Sequence, residues 1–219
     1  MRACVARLDR PQTNREPAEI ARKRTLMQAE RIRPLSAFVD ALRAEHPHAW
    51  IPYVDPTEAG VEARILRLME APGPGAVAER GGSGFVSADN DDPSALNSWT
   101  LLREAGIDRC HELISWNAVP WYVGTPTRIA HPSVADIRNA LPALVRFLDL
   151  LPHLRVVVLL GRKSQRAWGI ALREMPSLMR LKSLEAPHHS PLSLNGRPER
   201  RQQIVDAFRE ARAIAAAAD

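Results

Sequence analysis

The sequence has few cysteines and no long apolar run, and each absence excludes a class of protein. Its two cysteines, Cys4 and Cys110, are too few for a disulfide framework or for the four ligands that an iron–sulfur cluster usually takes. No apolar stretch approaches the ~20 residues that span a bilayer. The segment Met1 to Arg10 is charged where a signal peptide would be apolar. We therefore expect a cytoplasmic protein with no metal, no cofactor and no membrane partner.

Charge is distributed unevenly along the 219 residues, whose net charge is +5. Residues 1–34 carry nine basic and four acidic side chains, residues 35–154 carry nine and 15, and residues 155–219 carry twelve and six. If the two basic ends share one face, they would attract a polyanion. Nucleic-acid binding is one interpretation of this pattern, and a basic composition without a specific role is the other.

Short apolar runs alternate with helical patterns, which predicts an α/β sheet with helices on its faces. Candidate strands cover residues 65–70, 113–118, 155–160 and 177–184. The continuous Val-Val-Val-Leu-Leu run of the third suits a strand that is buried on both faces. The alternating pattern of the fourth indicates an edge strand.

Capping residues predict helices between these strands. Asp92 followed by Pro93 begins a helix that Gly106 ends, and Ser133 with Asp136 resembles a capping box. Further helices are predicted to begin near Gly161 and at Pro198, and to cover residues 19–32 and 35–43 ahead of the strands. We divide the chain into a basic N-terminal helical arm, residues 1–34, and one domain, residues 35–219.

Three loops that follow candidate strands contain unusual residues, and ligands bind beyond the carboxyl ends of the strands in open α/β sheets. Glu70 begins a loop rich in proline and glycine, and Asn117 precedes a loop with Trp121 and Tyr122. The last loop reads His188-His-Ser-Pro-Leu-Ser193. A carboxylate, an amide and two imidazoles at one end of a sheet together indicate an active site.

The content and order of these loops resemble the uracil-DNA glycosylase superfamily, from about Leu66 to Phe208. Glu70-Ala-Pro-Gly is similar to the first motif of the iron–sulfur branch of that family. Gly84-Phe-Val-Ser87, followed by Pro93-Ser-Ala-Leu-Asn97, is similar to the segment that carries the family's stacking phenylalanine. The His188–Ser193 loop matches the family's His-Pro-Ser-Pro-Leu-Ser loop at five of six positions.

The resemblance implies a three-layer α/β/α sandwich around a mainly parallel four-stranded sheet, with the active-site loops at the carboxyl ends of the strands. It implies a monofunctional DNA repair glycosylase of base excision repair, formed by residues 35–219. Such an enzyme flips uracil out of the DNA and hydrolyses its N-glycosidic bond, which leaves an abasic site. The implied partner is uracil-containing DNA, single- or double-stranded, bound by a monomer.

The family's catalytic pair would be His188 and Glu70 here. His188 would donate a hydrogen bond to the uracil carbonyl oxygen that becomes negative as the bond breaks. Glu70 would position or activate water, or offset the positive charge of the sugar. The structural alternative for Glu70 is a cap on a nearby backbone amide.

The resemblance places base recognition on Asn117, Phe85, Gly73 and Ala71. Asn117 would read the Watson–Crick edge of uracil with its amide, and Phe85 would stack on the flipped base. Core packing is the alternative for Phe85, and a turn-forming role is the alternative for Asn117.

DNA contacts are implied for the residues around the last loop and for one helix start. Leu192 matches the family's wedge, which fills the space left by the flipped nucleotide. Phosphate contacts would come from Ser190, Ser193, Asn195 and Arg197, with a further anion site at Arg162 and Lys163. The same composition is also typical of an ordinary loop.

Several departures from the family pattern leave alternatives open. Because only two cysteines are present, the chain resembles a divergent branch without the cluster. Ala71 stands where the best-known branch has a catalytic aspartate, and Gly73 where it has the tyrosine that excludes thymine. His189 replaces a proline. Three roles are open for it: a surface residue, a second hydrogen-bond donor or a contact to phosphate.

Three other functions remain in view. The protein could bind damaged DNA without turnover, or it could excise a wider range of bases, such as hypoxanthine or thymine. It could instead be an unrelated α/β protein that binds a nucleotide or a small ester, although it has no Gly-x-Ser-x-Gly or Walker pattern.

Overall fold

The structure is a computed structural model that describes residues 8–125 and 127–217. Its helices are α1 (Pro17–Leu26), α2 (Arg33–Glu45), α3 (Pro93–Glu104), α4 (Val134–Asp149), α5 (Arg162–Glu174), α6 (Pro191–Leu194) and α7 (Pro198–Ala216). Its strands are β1 (Tyr53–Val54), β2 (Ile65–Met69), β3 (Phe85–Val86), β4 (Leu113–Asn117), β5 (Val156–Leu160) and β6 (Lys182–Ala186). In the described ranges, no helix combines the length and hydropathy needed to cross a membrane.

The main sheet has four strands in the order β4-β2-β5-β6, and every neighbouring pair is parallel. Helices α2, α4 and α5 pack on one face, and α3 and α7 pack on the other. The predicted three-layer α/β/α sandwich with a parallel sheet is therefore confirmed. A second sheet pairs β1 with β3, also in parallel.

The central strands are apolar on both sides because helices cover both faces of the sheet. Every residue of β5 is buried, as its continuous run of branched side chains predicts. Trp116 of β4 stacks on Phe147 of α4, with ring centroids 4.6 Å apart. This packing holds β4 against the α4 layer, immediately before the strand ends at Asn117.

The fourth strand begins later than its sequence pattern predicts. The first part of the expected strand at 177–184 is instead a short 3-10 helix, Pro176–Arg180, and β6 begins only at Lys182. Pro176 fixes its φ in a turn conformation, and Leu178 is buried from that turn. The prediction of an edge strand is confirmed, because β6 pairs only with β5 among the described residues.

The predicted helix caps are present, but the first two helices have different bounds. Asp92 accepts a hydrogen bond from the N–H of Ala95 at 2.9 Å, and Ser133 with Asp136 forms a complete capping box. Helix α1 ends at Leu26, and α2 already begins at Arg33. Pro34 lies in the first turn of α2, where its missing N–H is tolerated, so it does not break the helical pattern.

A buried ion cluster joins α1 to the loops around the sheet. Its members are Lys23, Asp55, Glu58, Arg67, Asp89 and Arg109, all of which are buried. Lys23 is 0% exposed, and its Nζ donates to Asp55 at 2.8 Å and to Asp89 at 3.0 Å. Arg109 donates to the other oxygen of Asp89 at 2.7 Å. The described part of the basic N-terminal segment is therefore packed into the protein through one of its cations.

The buried ion cluster continues to strand β4 through Glu58. Both the N–H and the hydroxyl of Ser115 donate to Glu58, at 2.7 and 2.8 Å. Nε of Arg67, on β2, donates to the same hydroxyl at 3.0 Å. Burial raises the pKa of Glu58 to about 7, against the opposing attraction of Arg109 and Arg67. Ser115 lies two residues before Asn117, so the network fixes the strand that carries this amide.

Lys23→Met tests how strongly the fold depends on the buried ion cluster. The change leaves Asp55 and Asp89 with less compensation for their buried charges, which should lower the free energy of unfolding by about 3–5 kcal/mol. Urea denaturation at pH 7 measures the loss. Lys182→Met, at an exposed position of β6, is the matched control and should change stability by no more than about 0.5 kcal/mol. Equal effects of the two variants would contradict this role of Lys23.

Candidate active site

The carboxyl ends of the four parallel strands bring together most of the predicted site residues. Glu70 follows β2, Asn117 is the last residue of β4, and the His188–Ser193 loop follows β6. The N–H of Val119 donates to the carbonyl of Glu70 at 2.9 Å, which ties the first two of these strand ends together. The sequence therefore predicted correctly which loops share this edge.

The Glu70 carboxylate is held by two side chains from other loops. Its Oε1 accepts from Nδ1 of His131 at 2.5 Å and lies 3.5 Å from Nζ of Lys163. Glu70 is 15% exposed at its side chain, whereas His131 is 67% exposed. The carboxylate is thus held at the carboxyl edge of the sheet by one imidazole and one ammonium. The contact of Lys163 with Glu70 is different from the phosphate contact that the sequence predicted for Lys163.

The His188 ring is held in one orientation by its own loop. The N–H of Ser190 donates to Nδ1 of His188 at 3.1 Å, so we assign the ring proton to Nε2. Burial lowers the pKa of His188; Glu70 acts in the opposite direction, and the nearby His131 and Lys163 add to the lowering. The ring is therefore neutral at pH 7 and presents an N–H donor.

Gly161, at the junction of β5 and α5, allows His188 to take this position. A Cβ at residue 161 would lie 2.9 Å from Cβ of His188, and the backbone has a φ of +88°. Only glycine adopts this conformation readily and leaves this space. Residue 161 therefore determines how closely the histidine can approach the sheet.

His189 is buried, which excludes the surface role among its three alternatives. Its ring stacks on His188 with centroids 4.7 Å apart, and its carbonyl accepts from Asn97 at 2.9 Å. Burial, together with His188 and Arg67, lowers the pKa of His189 well below its usual value. Its Nδ1 has no hydrogen-bond partner among the described residues. A neutral second imidazole thus lies directly behind the first.

Asn117 is 2% exposed at the end of β4. Its Nδ2 has no hydrogen-bond partner in the described part of the chain, and neither does Nη1 of Arg67. Arg67 is in register with Ser115, and Ser115 and Asn117 share one face of the sheet because strand side chains alternate. Two buried nitrogen donors on adjacent strands are therefore left without acceptors among the described residues.

The remaining residues predicted to contact the base lie in different environments. Phe85 is buried in β3, and its backbone is held by Ser83 and Asn90. Ala71 is half-buried, and Gly73 is exposed. No atom lies within 4 Å of the position that a Cβ at Gly73 would occupy. The first loop thus leaves open space at the position of Gly73.

The loop predicted to enter DNA presents its leucine to solvent. Leu192 is 88% exposed on the short helix α6. Nη1 of Arg197 donates to the carbonyl of Leu192 at 2.9 Å, and Arg200 lies 3.4 Å from the hydroxyl of Ser193. The Ser190 carbonyl accepts from the N–H of Ser193 at 2.9 Å. Arg197 therefore braces the loop, while the exposed Asn195 follows it.

A groove of about 950 Å³ runs beside His188 between β6, α5 and α7. Arg162, Arg200 and Ser193 line it together with the acidic residues Glu185, Asp206 and Glu210. Arg162 is exposed at the start of α5. Because its lining has both signs of charge, only part of the groove would favour phosphate.

Four residues of this region were absent from the predicted site: His131, Gly161, Arg67 and Asn97. A strand-end glycine before a helix is a visible signal for Gly161, because that junction often approaches a ligand or another backbone closely. No local pattern marks His131, which lies 61 residues from Glu70 in the sequence. Arg67 interrupts an apolar strand, and such a buried charge is itself a signal of a partner.

No group of three or more histidine, cysteine, aspartate or glutamate side chains that could hold a metal ion occurs among the described residues. A comparison with curated proteins found no match to the chain. The family model described as the Uracil DNA glycosylase superfamily matches residues 56–212. This range includes all four loops at the carboxyl edge of the sheet. The chain therefore belongs to the Uracil DNA glycosylase superfamily.

Proposed function

We propose that this protein is a DNA repair glycosylase that excises uracil by hydrolysing its N-glycosidic bond and leaves an abasic site in the DNA. The substrate would be uracil in single- or double-stranded DNA, and a monomer would suffice because one chain carries every residue invoked. Membership of the superfamily supports glycosylase activity. The choice of uracil depends on the chemistry of the pocket.

The observation that carries the proposal is the buried amide of Asn117, whose Nδ2 finds no acceptor among the described residues. An unsatisfied buried donor costs about 1–3 kcal/mol. A ligand carbonyl oxygen would offset this cost, and the amide oxygen could accept from the neighbouring ring N–H. Uracil presents that pair of groups on its Watson–Crick edge, whereas cytosine presents a mismatched one.

His188 has the protonation state that departure of the base requires. Cleavage places negative charge on the uracil carbonyl oxygen, and a neutral imidazole with its proton on Nε2 can donate to that oxygen. The Ser190 N–H on Nδ1 fixes this tautomer. Glu70, electrostatically coupled to His188, would stabilise the cationic sugar that forms at the same time.

The exposed Leu192 supports binding to DNA in which the base has been flipped out. An apolar side chain that is 88% exposed is unfavourable in water. Inserted into the base stack, it would replace contacts that the extruded nucleotide gives up. The hydrogen bond from Arg197 to the Leu192 carbonyl would help to hold the short helix in place for insertion.

Gly73 favours a second candidate, a glycosylase of wider base preference. The space around the position of a Cβ at residue 73 is empty to 4 Å, so nothing at this residue would exclude a methyl group or a larger ring. Hypoxanthine and thymine are the bases to compare with uracil. Binding of damaged DNA without turnover remains a separate alternative, for which Ala71 is the relevant residue.

One oligonucleotide panel distinguishes these functions. Purified protein is incubated with otherwise identical strands that contain uracil, hypoxanthine, thymine opposite guanine, or cytosine, and alkali then cleaves any abasic site. We expect scission at uracil and none at cytosine. Scission at hypoxanthine or thymine as well would support the wider preference. Tight binding with no scission at enzyme excess would support the damage-binding alternative and would contradict the glycosylase proposal.

Asn117→Ala should impair excision while leaving the fold unchanged. Loss of two hydrogen bonds of about 1 kcal/mol each lowers kcat/KM on uracil by roughly 30-fold or more. Single-turnover assays measure the rate, and fluorescence anisotropy measures affinity for undamaged DNA, which should stay within about twofold because Asn117 contacts only the flipped base. Asn139→Ala, at an exposed position of α4, is the matched control. A normal rate for Asn117→Ala would remove Asn117 from base recognition.

Leu192→Ala should weaken excision from duplex DNA more than excision from single strands. Unstacking a base step costs a few kcal/mol, and a single strand has less stacking to disrupt. We expect about a tenfold lower kcat/KM on duplex uracil and a smaller change on single-stranded uracil. Met179→Ala removes another exposed apolar side chain and should change neither rate. Equal losses on both substrates would argue against a wedge.

A further inference from the structure

His131 and Glu70 form a pair with the geometry of an oriented general base. His131 lies in the segment before α4, and its Nδ1 is 2.5 Å from Oε1 of Glu70. Because a carboxylate only accepts, Nδ1 carries the proton in this contact. The remaining ring nitrogen, Nε2, is then the basic atom when the ring is neutral. The same carboxylate oxygen also faces Lys163 at 3.5 Å.

The pair lies beside the catalytic histidine. Lys163, whose Nζ lies 3.5 Å from Oε1 of Glu70, follows Gly161 by two residues, and a Cβ at Gly161 would lie 2.9 Å from Cβ of His188. His131 is 67% exposed, so its Nε2 side is open to water and substrate. That nitrogen has no hydrogen-bond partner among residues 8–125 and 127–217. A basic nitrogen, a carboxylate that orients it, and the group that receives the leaving base thus share one edge of the sheet.

We propose that His131 is the general base of the hydrolysis, with Glu70 as the residue that orients it. This inference rests on the proposed glycosylase function. It differs from the sequence-based expectation that Glu70 itself activates water. Oε1 of Glu70 already accepts from two donors, and Nε2 of His131 is the exposed basic atom that this carboxylate orients.

The step balances with water as the only co-reactant. The glycosidic C–N bond breaks and its electron pair leaves with the base, whose carbonyl oxygen accepts the hydrogen bond from His188. The oxygen of water forms a bond to C1′ of the sugar, and its proton passes to Nε2 of His131. Glu70 accepts the hydrogen bond from Nδ1 throughout and balances the charge of the imidazolium. An orienting carboxylate has the same role beside other histidine general bases. His131 then releases the proton to solvent.

Two substitutions separate base catalysis from positioning. In His131→Asn, the amide nitrogen can still donate to Glu70 from about the position of Nδ1, but no basic nitrogen remains. His131→Ala removes both functions and leaves room for a small molecule at an exposed site. His153→Ala, at another exposed histidine, is the matched control.

The experiment measures single-turnover excision of uracil from an oligonucleotide, with affinity for the same DNA measured separately. Both His131 variants should be slower by about 10²- to 10⁴-fold, the usual contribution of a general base. Affinity should change by less than about threefold, because His131 is not required to hold DNA. Added imidazole should restore part of the rate of His131→Ala but should not affect His153→Ala.

Failure of this inference is distinguishable from failure of the proposed function. If the wild-type protein excises no base, both are overturned. If the wild type is active and His131→Asn keeps its rate, His131 only positions Glu70, and the general-base role is wrong. The role is equally wrong if His131→Ala is unaffected, or if it is slow and imidazole restores nothing.

Discussion

The position of the site depends on one constraint, the pairing of charges in the buried ion cluster. Three carboxylates and three cations are taken out of water together, and each would be strongly unfavourable alone. Lys23 comes from α1, while Ser115, at the other end of the network, belongs to the strand that ends at Asn117. The N-terminal segment is therefore part of what positions the pocket, although the family match begins only at residue 56.

The contrast between satisfied and unsatisfied polar groups marks where a ligand belongs. Within the cluster, the buried carboxylate of Asp55 accepts hydrogen bonds from Lys23, Ser87 and Thr57. Asp55 therefore needs no further partner. On the same sheet, Nδ2 of Asn117 and Nη1 of Arg67 find no acceptor among the described residues. Arg67 itself belongs to the buried ion cluster, and Nε of Arg109 is a further cluster donor without an acceptor among the described residues. Because unsatisfied buried donors are rare in folded proteins, the pair of donors on adjacent strands at the end of β4 favours a binding function there.

Much of the fold and the identity of the site loops could be predicted because both depend on local patterns. The apolar run of β5 and the caps at Asp92 and Ser133 are visible within a few residues. Parallel strands then place their following loops on one edge, which correctly joined Glu70, Asn117 and His188. Lys23 could not be predicted, since a lysine on a basic helix normally faces solvent, and its partners lie 32 and 66 residues away.

The same limit explains why the sequence did not reveal the histidine that contacts Glu70. Ala71 follows Glu70 in the sequence, at the position where the family resemblance predicts a carboxylate. The folded chain instead brings an imidazole to Glu70 across 61 residues. A loop that contributes only one side chain is under weak local constraint, so its sequence carries no recognisable signal. In this chain, a function that Ala71 does not supply is therefore best sought among the side chains that contact Glu70.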